Sequence, residues 1–535
     1  MSLFDSARHP TSPHPFRNEP ARDFSAPAAR ERMIQALAQA RASFPVAIPL
    51  VLDGQRIVPP AEGGRGVIVS TNPADTSEAL GRCPAATAAQ TTEAVVSARR
   101  AFPAWSALPA RDRVAVLRGA ADWMRERRDL LNAMMVLEAG KSWKEADADV
   151  TEAIDFLDYY AFEALRLEQP VLLQPDLPGE ANAYGYDAAG VAAVISPWNF
   201  PLAIPAGMVA AALVAGNTVC FKPSQQTPLM GWMLARSLYE SGCPPQALQF
   251  LPGRGSEVGT TLIQHPEVDI IAFTGSRDVG FFLLREAAQM RPGQRMIKKV
   301  VCELGGKNAI IVDPTADMET AVPAILHSAF GYGGQKCSAC SRLIVIGAIH
   351  DSLLERLRAA AAANLRVEPP ENPDTVMGPV IDAAAKKKIE SYIEGGKKTA
   401  RVVFAGALGD WAEKGTYVAP HIFADVKPED PLATEEIFGP VLSVLRVKDL
   451  DEAIALANAT PYALTGGILS RDEAAIDRAA REVRVGNFYI NRGITGAKVY
   501  RQPFGGFGHS GVGSKAGGPD YLKQFLLPRS WSRNL

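Results

Sequence analysis

Cysteine is scarce in this chain: six residues, at 83, 220, 243, 302, 337 and 340, are scattered among 535. Such scatter builds no disulfide framework and fits a reducing compartment. An excess of charge of either sign is also missing. The 56 basic residues stand against 58 acidic ones, so electrostatics give no reason to expect nucleic acid or an anionic membrane as partner. No run of about 18 apolar residues occurs, which excludes an α-helical membrane span. The seven histidines are dispersed. Cys337-x-x-Cys340 has no second CxxC or HxxxH to complete a zinc site, so no metal is expected. Residues 1–32 carry several arginines, but Asp5, Glu19 and Asp23 interrupt them and no apolar stretch follows. They fit neither a signal peptide nor a transit peptide, and the expectation is a cytoplasmic protein.

What is present is an ordinary globular composition. At 47% hydrophobic and 21% charged, the chain has ample material for a core, and its length suggests two or three domains. PFRNEPARDF, from Pro15 to Phe24, is Pro-broken and polar and reads as an extended surface arm. IPLVLDGQRI, 48–57, reads as a hairpin about an Asp-Gly turn. Helical spacing dominates 88–166, punctuated by Pro103 and Pro109.

Between 190 and 312 short apolar runs alternate with helical ones. The runs are GVAAVISPWNF, NTVCFKPS, LQFLPG, DIIAFTGS and VVCELGGKNAIIV. This alternation predicts a parallel sheet with helices on both faces, whose ligands bind beyond the carboxyl ends of the strands. A second α/β series follows Cys337, from RLIVI to VGNFYIN. The last stretch, 493–535, reads as a site-lining loop and then a tail that packs on a neighbour.

Chemistry converges on strand ends. In GYGGQKCSACSR, Cys337 follows a Gly-rich turn, and the Ser/Ala/Arg run behind it reads as the start of a helix. Backbone N–H groups and a helix dipole there favour thiolate, the nucleophilic form. Gly333 and Gly334 leave room for a substrate to approach the backbone. Asn199, in SPWNFP, offers an amide donor for a developing oxyanion, with the Cys337 N–H as a second donor. Glu303, in CELGGK, is placed to deprotonate water or the thiol. Lys222 ends a strand where a cation could hold ribose hydroxyls. Phe273-Thr274-Gly275-Ser276 leads into a helix that can seat a pyrophosphate, although it lacks the G-x-G-x-x-G spacing. Nucleophile, base and oxyanion donor on a dinucleotide-type fold point to one reaction class: oxidation of an aldehyde through a thioester, with hydride transfer to nicotinamide.

SPWNFP, GNTVCFKPS, FTGSRDVG, ELGGKNAIIV, GQKCSACSR, EEIFGPVL and QPFGGFGHSG, in this order over residues 45–530, resemble the NAD(P)-dependent aldehyde dehydrogenase superfamily. The resemblance implies an α/β aldehyde dehydrogenase fold. A Rossmann-like NAD-binding domain would comprise 1–167 and 189–300, a catalytic domain 301–500, and a small β bridging and oligomerisation element 168–188 and 501–535. It implies that Cys337 is the nucleophile, Glu303 the base and Asn199 the oxyanion donor. Lys222 and Glu436 would hold the two riboses, Ser276 the pyrophosphate, and Phe438 would pack near the nicotinamide ribose. The cofactor would also run past Ile195, Ser196, Pro197, Trp198, Ser224, Gln225, Gly253, Gly275, Val279 and Leu304. A homo-oligomer, a dimer or a hexamer, is implied as well.

PFRNEPARDF, the GQKCSA turn and NRGITGA…QPFGG bear a narrower resemblance, to the 1-pyrroline-5-carboxylate dehydrogenases of proline degradation. At this length the chain resembles their monofunctional form. That resemblance implies NAD-dependent oxidation of L-glutamate γ-semialdehyde to glutamate. Ser338, Gly496 and Ala497 would bind the substrate α-carboxylate, Phe200 and Phe504 would flank its aliphatic chain, and Glu138 with Lys336 would lie near the nucleophile. Gln225 stands where NAD-preferring relatives often carry Glu, so tolerance of NADP is expected. Three alternatives stay open: a succinate semialdehyde dehydrogenase, a binding protein on the same fold, and a thiol redox protein using Cys337 and Cys340.

Overall fold

The apolar runs that follow residue 190 form the middle of an eight-stranded sheet in the computed structural model, which describes residues 15–60 and 66–535. Part of the arginine-bearing N-terminal run lies outside the described residues. Five strands of this sheet are parallel: Val191–Ile195, Thr218–Lys222, Leu248–Phe250, Ile270–Thr274 and Lys299–Glu303. Val191–Ile195 lies between the second and the fourth of them, so the chain builds outward in both directions from it. A crevice opens where connections leave in opposite directions, here between the ends of Val191–Ile195 and Ile270–Thr274. The hairpin Leu50–Leu52 and Gln55–Ile57 extends one edge, antiparallel, about Asp53 and Gly54, whose φ angles of +49° and +86° suit a tight Asp-Gly turn.

VVCELGGKNAIIV, expected as one run, is two strands in different sheets. Lys299–Glu303 is the last parallel strand of the first sheet, and Asn308–Val312 is the first in chain order of a seven-stranded second sheet. The chain crosses at Leu304–Lys307, a few residues past the expected boundary at 301. Six of the seven strands run parallel: His421–Ala424, Val441–Val447, Cys340–Ile346, Asn308–Val312, Thr465–Leu469 and Asn487–Ile490, in spatial order. The helix expected just after Cys337 is absent. The branched residues of Cys340–Ile346 are buried and pair on both sides, which suits a central strand better than a helix.

A three-stranded antiparallel sheet joins Val171–Leu173, Glu180–Ala188 and Leu526–Asn534. Two segments of 501–535, expected to group with this sheet, pair elsewhere. Gly511–Val512 pairs with Lys299–Glu303 at the edge of the first sheet, and Phe507–Gly508 pairs with Tyr462–Ala463 beside the second. Helices pack against these sheets. Trp143–Leu167, Ala203–Val214 and Ala110–Glu126 form the largest core, with Val150, Leu157 and Met208 among its buried side chains. The arm at 15–24 is tied to this layer: Asp155 accepts from Asn18 and from the Glu19 N–H, and Phe24 packs on Trp143.

Candidate active site

Cys337 is reached through a left-handed turn. Helix Met318–Phe330 ends at Gly331, and Tyr332, Gly333 and Gly334 follow with φ of +54°, +61° and +70°. Glycine is required at 334, because a Cβ there would lie 2.3 Å from the Gly439 carbonyl oxygen. The glycines therefore make the turn, and a substrate path over them is not what they provide. Tyr332 holds its strained conformation with its hydroxyl donating to Ala139 O at 2.7 Å. The Asn199 amide donates to Gln335 O at 3.1 Å, which pins the oxyanion candidate beside the turn.

Asn308, at the start of the second sheet, escaped the sequence reading. Its amide nitrogen donates to Cys337 O at 2.7 Å and to Ala339 O at 2.9 Å, while its oxygen accepts the Thr465 N–H at 3.0 Å. A Cβ on Gly306 would lie 2.7 Å from Cys337 O, so the Gly-Gly of ELGGK lets the two segments touch. The only hint in the sequence was an Asn opening an otherwise apolar strand.

The Cys337 thiol faces Glu303, with Sγ 3.9 Å from Oε1, long but within reach for a sulfur donor. Burial pushes the thiol well above its ordinary range, and the carboxylates of Glu303 and Glu436 push it the same way. The expectation of a resting thiolate is corrected: no helix begins at Cys337, and only the Ser338 N–H opposes the desolvation. Burial also raises Glu303, to about 8, against the pull of Lys515 and the thiol. A carboxyl at that level is largely protonated at neutral pH, and its ionised fraction is a stronger base than an ordinary carboxylate.

Cys337 stands between two cavities. The first opens at the crevice of the first sheet and is lined by Pro197, Trp198, Asn199, Thr274, Gly275, Ser276, Leu304, Glu436 and Phe438. Ser276 precedes helix Arg277–Ala287 without capping it through its side chain, so N–H groups of the first turn remain for an anion. Glu436 rests on the Gly pair: Oε1 accepts the Gly306 N–H at 2.8 Å, and a Cβ on Gly305 would displace it. Phe438, with φ of +60°, meets Trp198 edge-on at 5.5 Å. Ile195, Ser196, Lys222, Ser224, Gln225, Gly253 and Val279 lie outside this cavity, at neighbouring strand ends and on the first turn of that helix. Lys222 is buried, and its ammonium donates to Pro223 O at 2.7 Å. This cradle fits a dinucleotide: an anion seat, a held carboxylate for hydroxyls, and aromatic walls next to the sulfur.

The second cavity is lined by Phe200, Lys336, Ser338, Gly496, Ala497 and Phe504, together with Glu303 and Cys337. Gly496 has φ of +75°, and a Cβ there would meet nothing within 4 Å, so its backbone borders open space. Glu152, Asp155 and Glu145 line the same cavity and were not foreseen. Glu138 is not brought to it. Glu138 is fully buried, accepting from Ser70 and from the N–H groups of Leu229 and Met230, which caps helix Pro228–Glu240. The acid that meets Lys336 is Glu145, at 2.7 Å. Cys340 lies in the packed core under the second sheet, with its thiol toward Arg342 O, and lines neither cavity, which removes the redox-pair reading.

Comparisons agree with this architecture. Residues 60–530 match the aldehyde dehydrogenase family. A protein of Geobacillus sp. (strain WCH70) named 1-pyrroline-5-carboxylate dehydrogenase is 46% identical over 508 residues, covering 95% of this chain and 97% of the relative. The structure of a Thermus 1-pyrroline-5-carboxylate dehydrogenase with bound NAD superposes with a TM-score of 0.93 at 43% identity, covering 98% of this chain and 100% of that one. Proline utilization A from Bdellovibrio bacteriovorus superposes with a TM-score of 0.94 at 45% identity. This chain, 98% covered, spans 54% of that longer one.

Asn308→Ala should loosen the nucleophile turn, since it frees two carbonyls and one N–H in a buried place. The expected loss is about 2–4 kcal/mol, read as a lower urea midpoint, together with slower alkylation of Cys337. An unchanged midpoint and an unchanged alkylation rate would show that Asn308 does not organise the turn.

Proposed function

The chain belongs to the aldehyde dehydrogenase family, and from that premise we propose that it oxidises L-glutamate γ-semialdehyde to L-glutamate with NAD, a step of proline degradation. The observation that carries this reading is the lining of the second cavity. Ser338 and the Gly496–Ala497 backbone share it with Cys337 and with the apolar rings of Phe200 and Phe504, and the Gly496 backbone borders open space. Backbone N–H groups in that setting suit a carboxylate. The acid groups of Glu152 and Asp155 on the wall, raised by burial to about 8 and about 6, would ionise beside an ammonium and accept its hydrogen bonds. An α-amino acid whose aldehyde lies at the end of a short aliphatic chain satisfies all three.

The reaction follows from the same residues. The Cys337 sulfur attacks the aldehyde carbon as its proton passes to the Glu303 carboxylate, 3.9 Å away. The oxygen of the hemithioacetal gains negative charge near the Asn199 amide, whose nitrogen carries two N–H groups and gives one to the Gln335 carbonyl. NAD in the first cavity supplies the two-electron acceptor for conversion of the hemithioacetal to a thioester. Glu303 gives the thiol's proton up to solvent and, ionised again, takes a proton from the water that attacks the thioester carbonyl; that proton then returns to the departing sulfur. The acid leaves and the thiol is restored. Glu436 would hold ribose hydroxyls, and the helix start at Ser276 the diphosphate.

The exposed edge Val171, Leu172 and Leu173, with the first two 63% exposed, offers an apolar surface that a second copy would cover, in keeping with a homo-oligomer. No described helix is long and apolar enough to cross a membrane, and the small, charged substrate belongs to the cytoplasm in this reading.

A carboxylate held by N–H groups separates substrates. Plain aldehydes of similar length should lose about 2–4 kcal/mol of transition-state binding, roughly 30- to 1,000-fold in kcat/KM. A panel containing glutamate γ-semialdehyde, succinate semialdehyde and butanal, followed by nicotinamide absorbance, measures this. Equal kcat/KM for butanal would overturn the assignment.

Gln225 is exposed just beyond the end of strand Thr218–Lys222. An amide there bonds to a ribose hydroxyl without repelling a 2′-phosphate. NADP should therefore be used, although less well than NAD. Gln225→Glu should depress kcat/KM for NADP much more than for NAD, and equal loss with both cofactors would contradict the argument.

A further inference from the structure

Lys141 is the side chain whose placement the proposed reaction leaves unexplained. It is fully buried, following the left-handed Gly140 that ends helix Arg128–Ala139. Its ammonium donates to Asp149 Oδ2 at 2.8 Å, and Asp149 is fully buried as well. The same ammonium lies 3.7 Å from the centre of the Phe200 ring and 4.8 Å from that of Tyr332. An ammonium within about 6 Å of an aromatic face is attracted to it, most strongly where water is excluded. The other oxygen of Asp149 accepts the Ala203 N–H at 2.7 Å, at the start of helix Ala203–Val214.

One buried ion pair thus meets three pieces of the site. Phe200 is a wall of the substrate cavity and the neighbour of Asn199. Ala203 begins the helix that this loop enters. Tyr332 is the strained residue of the turn that leads to Cys337. Taking two charges out of water is expensive, and apolar residues of similar volume often replace such pairs without loss of stability. Stability alone therefore gives a weak reason for the pair.

We propose that Lys141 is a positioning residue for aldehyde oxidation: its ammonium, fixed by Asp149, sets the Phe200 and Tyr332 rings and through them the distance between the bound aldehyde and Cys337. This rests on the proposed function only for the identity of the aldehyde. Other charges face the pair from neighbouring elements. Glu145 lies on the same helix as Asp149, and Lys336 on the nucleophile turn, and both act on Lys141. These two are themselves paired, at 2.7 Å.

The test must separate positioning from folding. Lys141→Met leaves a buried carboxylate unpaired and is expected to lower the melting temperature. Lys141→Met/Asp149→Asn removes both charges while an amide oxygen can still accept the Ala203 N–H, and it is expected to regain most of the lost melting temperature. If the ammonium positions the rings, the double variant still loses about 10- to 100-fold in kcat/KM for the semialdehyde, mainly in kcat, because a misplacement of the order of 1 Å costs that much. Its Cys337 alkylation by iodoacetamide, a small reagent that does not depend on how an aldehyde is held against the Phe200 ring, should stay within about threefold of the wild type at equal pH. A double variant with both stability and kcat restored would overturn the proposal and leave the pair purely structural. So would a loss confined to KM. Failure of the wild type to oxidise the semialdehyde would instead strike the proposed function. The same variants would then be compared on whichever aldehyde the wild type does oxidise, with the same two outcomes.

Discussion

Burial of one thiol beside one carboxyl is the constraint on which this site depends. Cys337 and Glu303 sit 3.9 Å apart in a cleft that both sheets close. Desolvation disfavours the charged form of each, and each would repel the other if both were charged. The resting state that satisfies this is a neutral thiol beside a carboxyl that gains and loses its proton close to neutral pH, and takes the thiol's proton once ionised. The nucleophile is then made when it is needed, which spares a reactive thiolate from oxidation between turnovers.

The fold produces this closeness by a crossing of the chain. Glu303 ends the last parallel strand of the first sheet, and four residues carry the chain to Asn308 in the second sheet. Asn308 reaches back to the carbonyl of Cys337, so base and nucleophile are fixed to opposite ends of one short connection. Gly305 and Gly306 make the connection possible, one beneath Glu436 and the other beneath the Cys337 carbonyl. The two cavities consequently meet at the sulfur, one from the crevice of the first sheet and the other from helix Trp143–Leu167 and the loop at 496–504.

Much of this was legible in the sequence because it is local. Alternating apolar runs predict the parallel sheet, Asp53-Gly54 predicts the hairpin, and the motifs at strand ends mark the rim where ligands bind. The resemblance put Cys337, Glu303, Asn199, Ser338 and Gly496 in one site, and the structure brings them together. What was not legible is tertiary. Ser-Ala-Cys-Ser-Arg reads as the start of a helix, but the central place of Leu343–Ile346 between two parallel strands makes it a strand. Glu138 and Glu145 are both acids on helices near Gly140, and only packing shows that the first caps another helix while the second meets Lys336. The thiolate expectation failed for the same reason, since desolvation is a property of the assembled cleft. Lys141 gave no signal, because a lysine in a polar stretch looks like a surface residue until its neighbours are known.

The most direct measurement of the central claim is a titration of the Cys337 thiolate by its ultraviolet absorbance, taken as wild type minus Cys337→Ala, without substrate or cofactor. A buried thiol beside Glu303 predicts no thiolate signal at about pH 7, with any signal appearing only well into the alkaline range. Glu303→Gln removes the neighbouring negative charge and should move that appearance to lower pH. A thiolate signal already present at neutral pH in the wild type would contradict the account.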